Sequence, residues 1–369
     1  MRIFVFGSSL TSSYWNGAAT YYRGIYKNLH RLGHSITFAE PDIYKRQQNQ
    51  DSEEIDYAAV RVYQTPRDLD RVLVEASDAD LVIKHSGVGA DDELLEAEVL
   101  RCRSGRMKVA FWDVDAPATL ARVQQNPSDS FRDLIPQYDF IFTYGGGLPV
   151  VQQYRGLGAK NCFPIYNGLD PDTHYPVAPD ANLACDLVFV GHRLPDREHR
   201  VNEFFFAAAE LAPERSFVLG GEGWGSRSLP SNVRWIGHVR STDHNRINCS
   251  ARMVLNINRQ TMAEVGFSPP TRVFEAAGAS ACVITDAWAG IDHFFIPEKE
   301  ILVASSADDV VSCLQEISSH QAGSIGAAMR SRALKDHTYT LRALEFHAAF
   351  RTANDEIPSD TASLASSHV

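Results

Sequence analysis

Short apolar runs, each followed by a small-residue loop and then a helix-patterned stretch, recur along this chain and restrict what it can fold into. Arg2–Phe6 is the first such run and leads into the hydroxyl-rich loop GSSLTSSYWNGAA. A helix follows through roughly Leu32, with Tyr22, Ile25, Tyr26 and Leu29 on one face, and Gly33 ends it. A second strand over residues 35–39 completes a βαβ unit, which predicts a parallel sheet with right-handed crossovers. Further strands are predicted over 81–84, 108–112, 140–144 and 162–166, while the polar residues 44–56 read as a loop and helix start. The proline-rich segment 167–179 reads as a linker. A new series then begins, with strands over 187–190, 217–219, 233–236, 254–257, 281–285 and 300–303, and an alanine- and phenylalanine-rich helix over 201–211 after the first of them. Two such series predict two doubly wound α/β domains. Ligands of such sheets bind beyond the carboxyl ends of the strands, which places residues 8–16 in a cleft.

A length of 369 residues suits two cores, and 44% hydrophobic residues mark a soluble globular chain. The net charge of −11 argues against a broad nucleic-acid or anionic-membrane surface, so local basic clusters are read as sites. The six cysteines are scattered with no C-x-x-C, as expected of reduced thiols in a cytoplasmic protein. No apolar run reaches membrane-spanning length. Gly7 lacks the partners of a G-x-G-x-x-G fingerprint.

Two stretches carry chemistry. In residues 264–286, EVGFSPPTRVFEAAGASACVITD, Ser268 is expected to N-cap a helix with Pro269 and Pro270 in its first turn. Val273, Phe274 and Ala277 form its inward stripe. The free N–H groups at 268–272, with the Arg272 charge, suit a phosphate, and Glu275 one turn deeper, near Thr271, suits ribose hydroxyls. A capped helix with a solvated Glu275 reads the same residues equally well. In the second stretch, Gly191 to Arg200, Arg193, Arg197 and Arg200 lie at i, i+4 and i, i+3 spacings after a strand end. They suit a diphosphate clamp, or else a solvated basic helix start.

The segment SPPTRVFEAAGASACVITDAWAGIDHFFIPEKEILV (268–303) resembles the donor-site segment of GT-B glycosyltransferases, above all the CgeB-like (spore maturation protein) branch. Asn-Gly-Leu-Asp at 167–170 is similar to the segment that enters the second GT-B domain. The resemblance implies two Rossmann-like domains facing a central cleft: an acceptor domain over 1–168, a donor domain over 169–338, a returning helix over 339–356 and a disordered tail over 357–369. It implies metal-independent transfer of a sugar from a nucleoside-diphosphate sugar, UDP first, to an acceptor hydroxyl or amine, with no cofactor beyond that co-substrate. By the same resemblance Glu275 would hold the ribose, and Arg197 with Arg272 the diphosphate. His238 would lie against the base. Arg259 would reach the phosphates or pair with Glu264.

Trp15, Asn16 and Tyr22 would face the acceptor, and so would Asp113 and Asp115, whose Asp-x-Asp is read as an acceptor-side pair. Two departures stand out. Related first loops read Asn-Gly-His where this chain has Ala18, and the first Glu of a Glu-x7-Glu pattern falls at Phe267. His85, at a strand end, is therefore the candidate base. Arg200 is expected to tolerate substitution better than Arg197. Two rivals keep the same architecture: a sugar-nucleotide 2-epimerase, and a non-catalytic surface- or coat-associated protein.

Overall fold

The computed structural model describes residues 1–14, 16–51 and 55–355, the side chains of 353–355 excepted. The sugar-stacking role expected of Trp15 and the disorder expected of 357–369 lie outside the described residues.

The first domain is a seven-stranded parallel sheet: β1 (Arg2–Phe6), β2 (Ser35–Pro41), β3 (Ala59–Tyr63), β4 (Leu81–His85), β5 (Lys108–Asp113), β6 (Phe140–Thr143) and β7 (Cys162–Pro164), in the order 3-2-1-4-5-6-7. The second domain is a six-stranded parallel sheet: β8 (Cys185–Val190), β9 (Phe217–Gly220), β10 (Val233–Trp235), β11 (Ala251–Asn256), β12 (Val283–Asp286) and β13 (Leu302–Ala304), in the order 10-9-8-11-12-13. Both have the Rossmann strand order, with switch points between β1 and β4 and between β8 and β11. The registers Ile3↔Leu81 and Met253↔Leu187 align the strands at these points. The loops that follow β1, β8 and β11 therefore open toward a common cleft.

Alternation along each strand feeds two cores per sheet. On β1, Ile3 and Val5 pack with Tyr22, Ile25 and Leu29 of the helix Ala19–Arg31, whereas Phe4 and Phe6 pack on the opposite face with Val99 and Phe111. The helix face predicted from Tyr22, Ile25, Tyr26 and Leu29 is wholly buried.

Three local expectations need correction. β3 is an edge strand whose first four side chains are not buried, so it lacks the apolar run that reveals its neighbours. No helix starts within the described part of 44–56; the next begins at Pro66, capped by Thr65 with Asp68 completing a capping box. The helix expected over 201–211 begins earlier, at Pro195, and contains a π turn over Asn202–Phe206. Phe204, Phe205 and Phe206 are all buried there, which a uniform 3.6-residue helix accommodates poorly.

The chain crosses between domains twice, and the crossings pair: Leu169 N–H donates to His337 O (2.7 Å) and Tyr339 N–H to Leu169 O (3.0 Å). The helix Tyr339–Asp355 then joins the first-domain core, with Phe346 stacked on Trp112 at 5.4 Å and Phe350 on Phe140 at 5.2 Å. Gly24 makes this docking possible, because a Cβ there would lie 2.2 Å from the buried ring of Tyr339. The methyl of Gly24→Ala must displace that ring, at a cost of about 1–3 kcal/mol. Gly156, at a helix end with nothing within 4 Å of its missing Cβ, is the control. Thermal unfolding should begin at lower temperature in Gly24→Ala and remain unchanged or rise slightly in Gly156→Ala. Equal transitions for the two variants would contradict the packing role of Gly24.

Candidate functional site

The cleft between the domains encloses a cavity of about 440 Å³. The first domain lines it with the loop after β1 (Ser8, Ser13, Asn16, Gly17, Ala18), with Tyr22 and with Asp115. The second contributes Gly191, His192 and Arg197 after β8, His238 after β10, Arg259 after β11, and Thr271, Arg272 and Glu275 from one helix.

That helix runs Thr271–Gly278 and starts later than the sequence suggests. Pro270 is its N-cap residue and supplies no side-chain cap. Ser268 does not cap it: its Oγ donates to Gly266 O at 3.0 Å, and the residue packs against Gly145 of the first domain. The physical reason is the Pro269-Pro270 pair, which keeps the backbone extended until Thr271. The uncapped first turn faces the cleft.

Four arginines sit on the second-domain side, and their partners divide them. Arg200 is ion-paired to the buried Asp286 and also donates to Gln260. Arg259 lies between Asp115 of the first domain and Asp196 of the second, rather than pairing with Glu264, whose carboxylate accepts from Gln260. Its Nε and Nη1 are both engaged, so the head group is held between two carboxylates at the cavity wall. Arg197 has no carboxylate partner among the described residues: it donates to His192 O at 2.7 Å, stands 5.5 Å over the Phe189 ring, and its Nε is buried without an acceptor there. Arg272 makes no hydrogen bond or ion pair with the described residues. Burial and the neighbouring Arg272 charge pull the Arg197 guanidinium down to about 10, and burial likewise lowers Arg272. The Arg272 charge thus acts on Arg197 across one cavity, and Glu275, which favours the Arg272 charge, makes no ion pair with either among the described residues.

Arg193 does not join them. It pairs with Glu198 at 2.7 Å and donates to Ser226, and it is absent from the cavity wall. The i, i+4 relation to Arg197 fails because Arg193 lies before the helix, which begins at Pro195.

Glu275 is buried, not solvated, and its Oε2 is 3.2 Å from His244 Nδ1. Burial opposes its ionisation, but His244, His174 and Arg272 outweigh burial and hold the carboxyl well below the usual range. It therefore remains a carboxylate at neutral pH. His238 stacks on His192 (6.2 Å between ring centres, 8° between planes) and meets Tyr14 of the first domain edge-on. Burial, then His238 and the two arginines, lower His192 to about 4, so it is neutral at pH 7.

On the first-domain side several expectations fail. His85 is not a cleft base. It is fully buried, hydrogen-bonded to Tyr26 OH at 2.5 Å and packed against Tyr22 and Trp112, and burial lowers it to about 3. It is the last residue of β4, and alternation turns it into the core under the helix Ala19–Arg31. Asp113 is also wholly buried. Its oxygens accept from Ser86 Oγ (2.7 Å), Tyr154 OH (2.5 Å), Asp115 N–H (2.9 Å) and Thr119 Oγ1 (3.1 Å), which leaves no room for an acceptor. Asn16 borders the cavity, but its amide is used internally: Oδ1 accepts from Ser8 Oγ, and Nδ2 donates to Ser9 O and Ser12 O. It shapes the loop rather than offering free polar atoms. Tyr22 is buried and contributes ring surface. Asp115 does reach the cavity, and burial raises its carboxyl even though Arg259 opposes the shift.

The two departures have structural counterparts. Ala18 is the N-cap residue of the first helix and gives it no side-chain cap. Phe267 has φ of 49° and packs its ring against Gly147 and Gly290, so a hydrophobic interdomain contact occupies the place of the first Glu. Sequence reasoning passed over His192 and His244 as site residues. His192 directly follows Gly191 at a strand end, a signal that was present. His244 shows none, since only tertiary packing brings it beside Glu275.

Residues 197–348 match the family model described as Glycosyl transferase-like. No curated protein matches the chain by sequence. Among solved structures, the chain is similar to sucrose-phosphate synthase from Thermosynechococcus elongatus, at 16% identity and TM-score 0.67 over 96% of this chain and 99% of that one. It is similar to Anabaena HepE in complex with UDP and glucose, at 11% identity and TM-score 0.69 over 95% and 100%. It is also similar to an alpha-glucosyltransferase in complex with UDP and a 13-mer DNA, at 12% identity and TM-score 0.65 over 96% and 98%. These likenesses cover both domains and their mutual arrangement. The chain thus has the GT-B glycosyltransferase fold, and its second domain, from Arg197 into the returning helix, carries a Glycosyl transferase-like segment.

Proposed function

We propose that this protein is a glycosyltransferase that moves a sugar from a nucleoside diphosphate, UDP first, to an acceptor hydroxyl or amine without a metal ion. One observation carries the reading: among the described residues Arg197 and Arg272 face the cleft with no carboxylate in ion-pair contact, Glu275 acting on Arg272 only through space, while the neighbouring Arg200 and Arg259 are both paired. Two unpaired guanidiniums at a helix start need an anion, and a diphosphate supplies one with suitable geometry. Glu275, one turn deeper, is placed to accept from ribose hydroxyls. UDP accompanies two of the similar structures, which supports the choice of base. Metal independence fits the use of arginines where other transferases use a cation to hold phosphate. Asp113, the first carboxylate of the Asp-x-Asp, is engaged by four donors.

In this mechanism the acceptor attacks the anomeric carbon and the bond to the β-phosphate oxygen breaks. Negative charge grows on that phosphate, and Arg197 and Arg272 stabilise it more in the transition state than in the ground state. The acceptor lies on the first-domain side, where Asp115 is the carboxylate that reaches the cavity. Membership of the CgeB-like branch rests on the segment 268–303. Free thiols at all six cysteines fit a cytoplasmic setting.

UDP at millimolar concentration should raise the melting temperature, and Glu275→Ala should weaken its binding by about 1.5–3 kcal/mol in calorimetry. No shift with UDP, GDP or dTDP would remove the donor-site reading. Arg197→Lys keeps the charge but loses the planar fork. It should retain UDP binding and lose much of the turnover in donor hydrolysis, and Arg197→Ala should lose both. Arg200→Ala behaves differently from the tolerance expected of it, because it strands Asp286 as a buried charge. It should destabilise the fold by about 3–5 kcal/mol in denaturant titration. Wild-type turnover in Arg197→Ala, or wild-type stability in Arg200→Ala, would reverse these assignments.

A further inference from the structure

His244 belongs to no motif, yet it stands beside Glu275, the one carboxylate that the second domain brings to the cavity among the described residues. Its Nδ1 is 3.2 Å from Glu275 Oε2, and both side chains line the cavity. A ring nitrogen this close to an ionised oxygen carries the proton, since two lone pairs would otherwise oppose each other. In the neutral ring Nε2 is then an acceptor, and it has no hydrogen-bond partner among the described residues. The same holds for Glu275 Oε1. Two adjacent acceptors, one on each side chain, therefore remain open.

The position of His244 is set from outside the cavity. The adjacent Asn245 is tied to the interdomain segment, its Nδ2 donating to Thr173 O (2.8 Å) and its Oδ1 accepting from Tyr175 N–H (3.3 Å). The buried His174 ring lies behind, nearly parallel to His244, with 6.3 Å between centres and 26° between planes. Such backing keeps the imidazole in one orientation and pre-organises the pair.

We propose that His244 is a specificity-determining residue that completes a two-point clamp with Glu275 for the cis-diol of a ribonucleotide. Glu275 Oε1 takes the ribose 3′-hydroxyl and His244 Nε2 takes the 2′-hydroxyl, while the Nδ1 contact fixes the carboxylate. The clamp selects ribonucleoside diphosphates over 2′-deoxy ones. This deepens the nucleotide-sugar reading and rests on it.

The test is calorimetric titration with UDP and 2′-deoxy-UDP. The wild type should bind UDP about three- to tenfold more tightly than the deoxy analogue, the effect of one neutral hydrogen bond. His244→Ala should reduce that ratio to about one. His244→Asn keeps a donor near the Nδ1 position without the Nε2 acceptor. It should hold UDP more tightly than the alanine variant while discriminating against the deoxy analogue less than the wild type does, and it serves as the second variant if alanine fails to fold. A UDP to deoxy-UDP ratio that is unchanged in either folded variant overturns the role of His244 and leaves the nucleotide site standing. Failure of the wild type to bind UDP overturns the nucleotide-sugar reading itself, and the clamp with it.

Discussion

Repulsion between two guanidiniums governs this cleft. Arg197 and Arg272 approach the same cavity from separate segments, the first from the loop and helix after β8 and the second from the start of the helix Thr271–Gly278. Burial and the Arg272 charge both disfavour the charge of Arg197. The fold holds them there by tying down what surrounds them. Arg200, one turn beyond Arg197, is ion-paired to the buried Asp286 at the end of β12. His192 O and the Phe189 ring fix the Arg197 head group. The unfavourable charge density is thus maintained by packing and by a neighbouring ion pair, as in other functional sites where local strain is offset elsewhere.

The same cleft is spanned by direct contacts between domains. Arg259 joins Asp115 to Asp196, Asp51 accepts from Ser241 Oγ at 2.8 Å, Tyr14 meets His238, and Gly146 N–H donates to Phe267 O at 2.9 Å. Asp51 is also paired with Arg23 at 2.8 Å, which anchors this latch in the first domain. At the opposite side the paired crossings at Leu169 and Tyr339 form the connection about which the domains would rotate. Polar contacts at the mouth and a backbone-bonded crossing at the base suit opening and closing around a ligand.

Buried polar residues near strand ends show how a local reading goes astray. His85 and Asp113 each end a strand that faces the cleft, which made both plausible site residues. In the fold His85 points into the aromatic core with Tyr22, Tyr26 and Trp112, and Asp113 bonds to Ser86, Thr119 and Tyr154. A strand's last side chain still packs with the sheet, whereas a residue in the loop beyond it is free to turn into the cleft. Asp115, two residues beyond Asp113, reaches the cavity instead.

Much of the architecture was legible in the chain, because fully buried parallel strands need continuous apolar runs and glycine- or proline-marked loops. The two series of strands, their parallel pairing and the buried face of the first helix follow from such runs, which are local. That Arg197, Arg272 and Glu275 border the cleft was legible for the same reason, since each lies in or beside a helix start that immediately follows or precedes a strand. β3 was not, because an exposed edge strand has no apolar run to show. The partners of each charged group were also hidden. That Arg200 meets Asp286, that Arg259 bridges to Asp115 across domains, and that His244 stands at Glu275 are contacts between residues 31 to 144 positions apart. Charge pairing depends on distance in space, and only the packing of the two sheets decides which arginines are ion-paired and which are not.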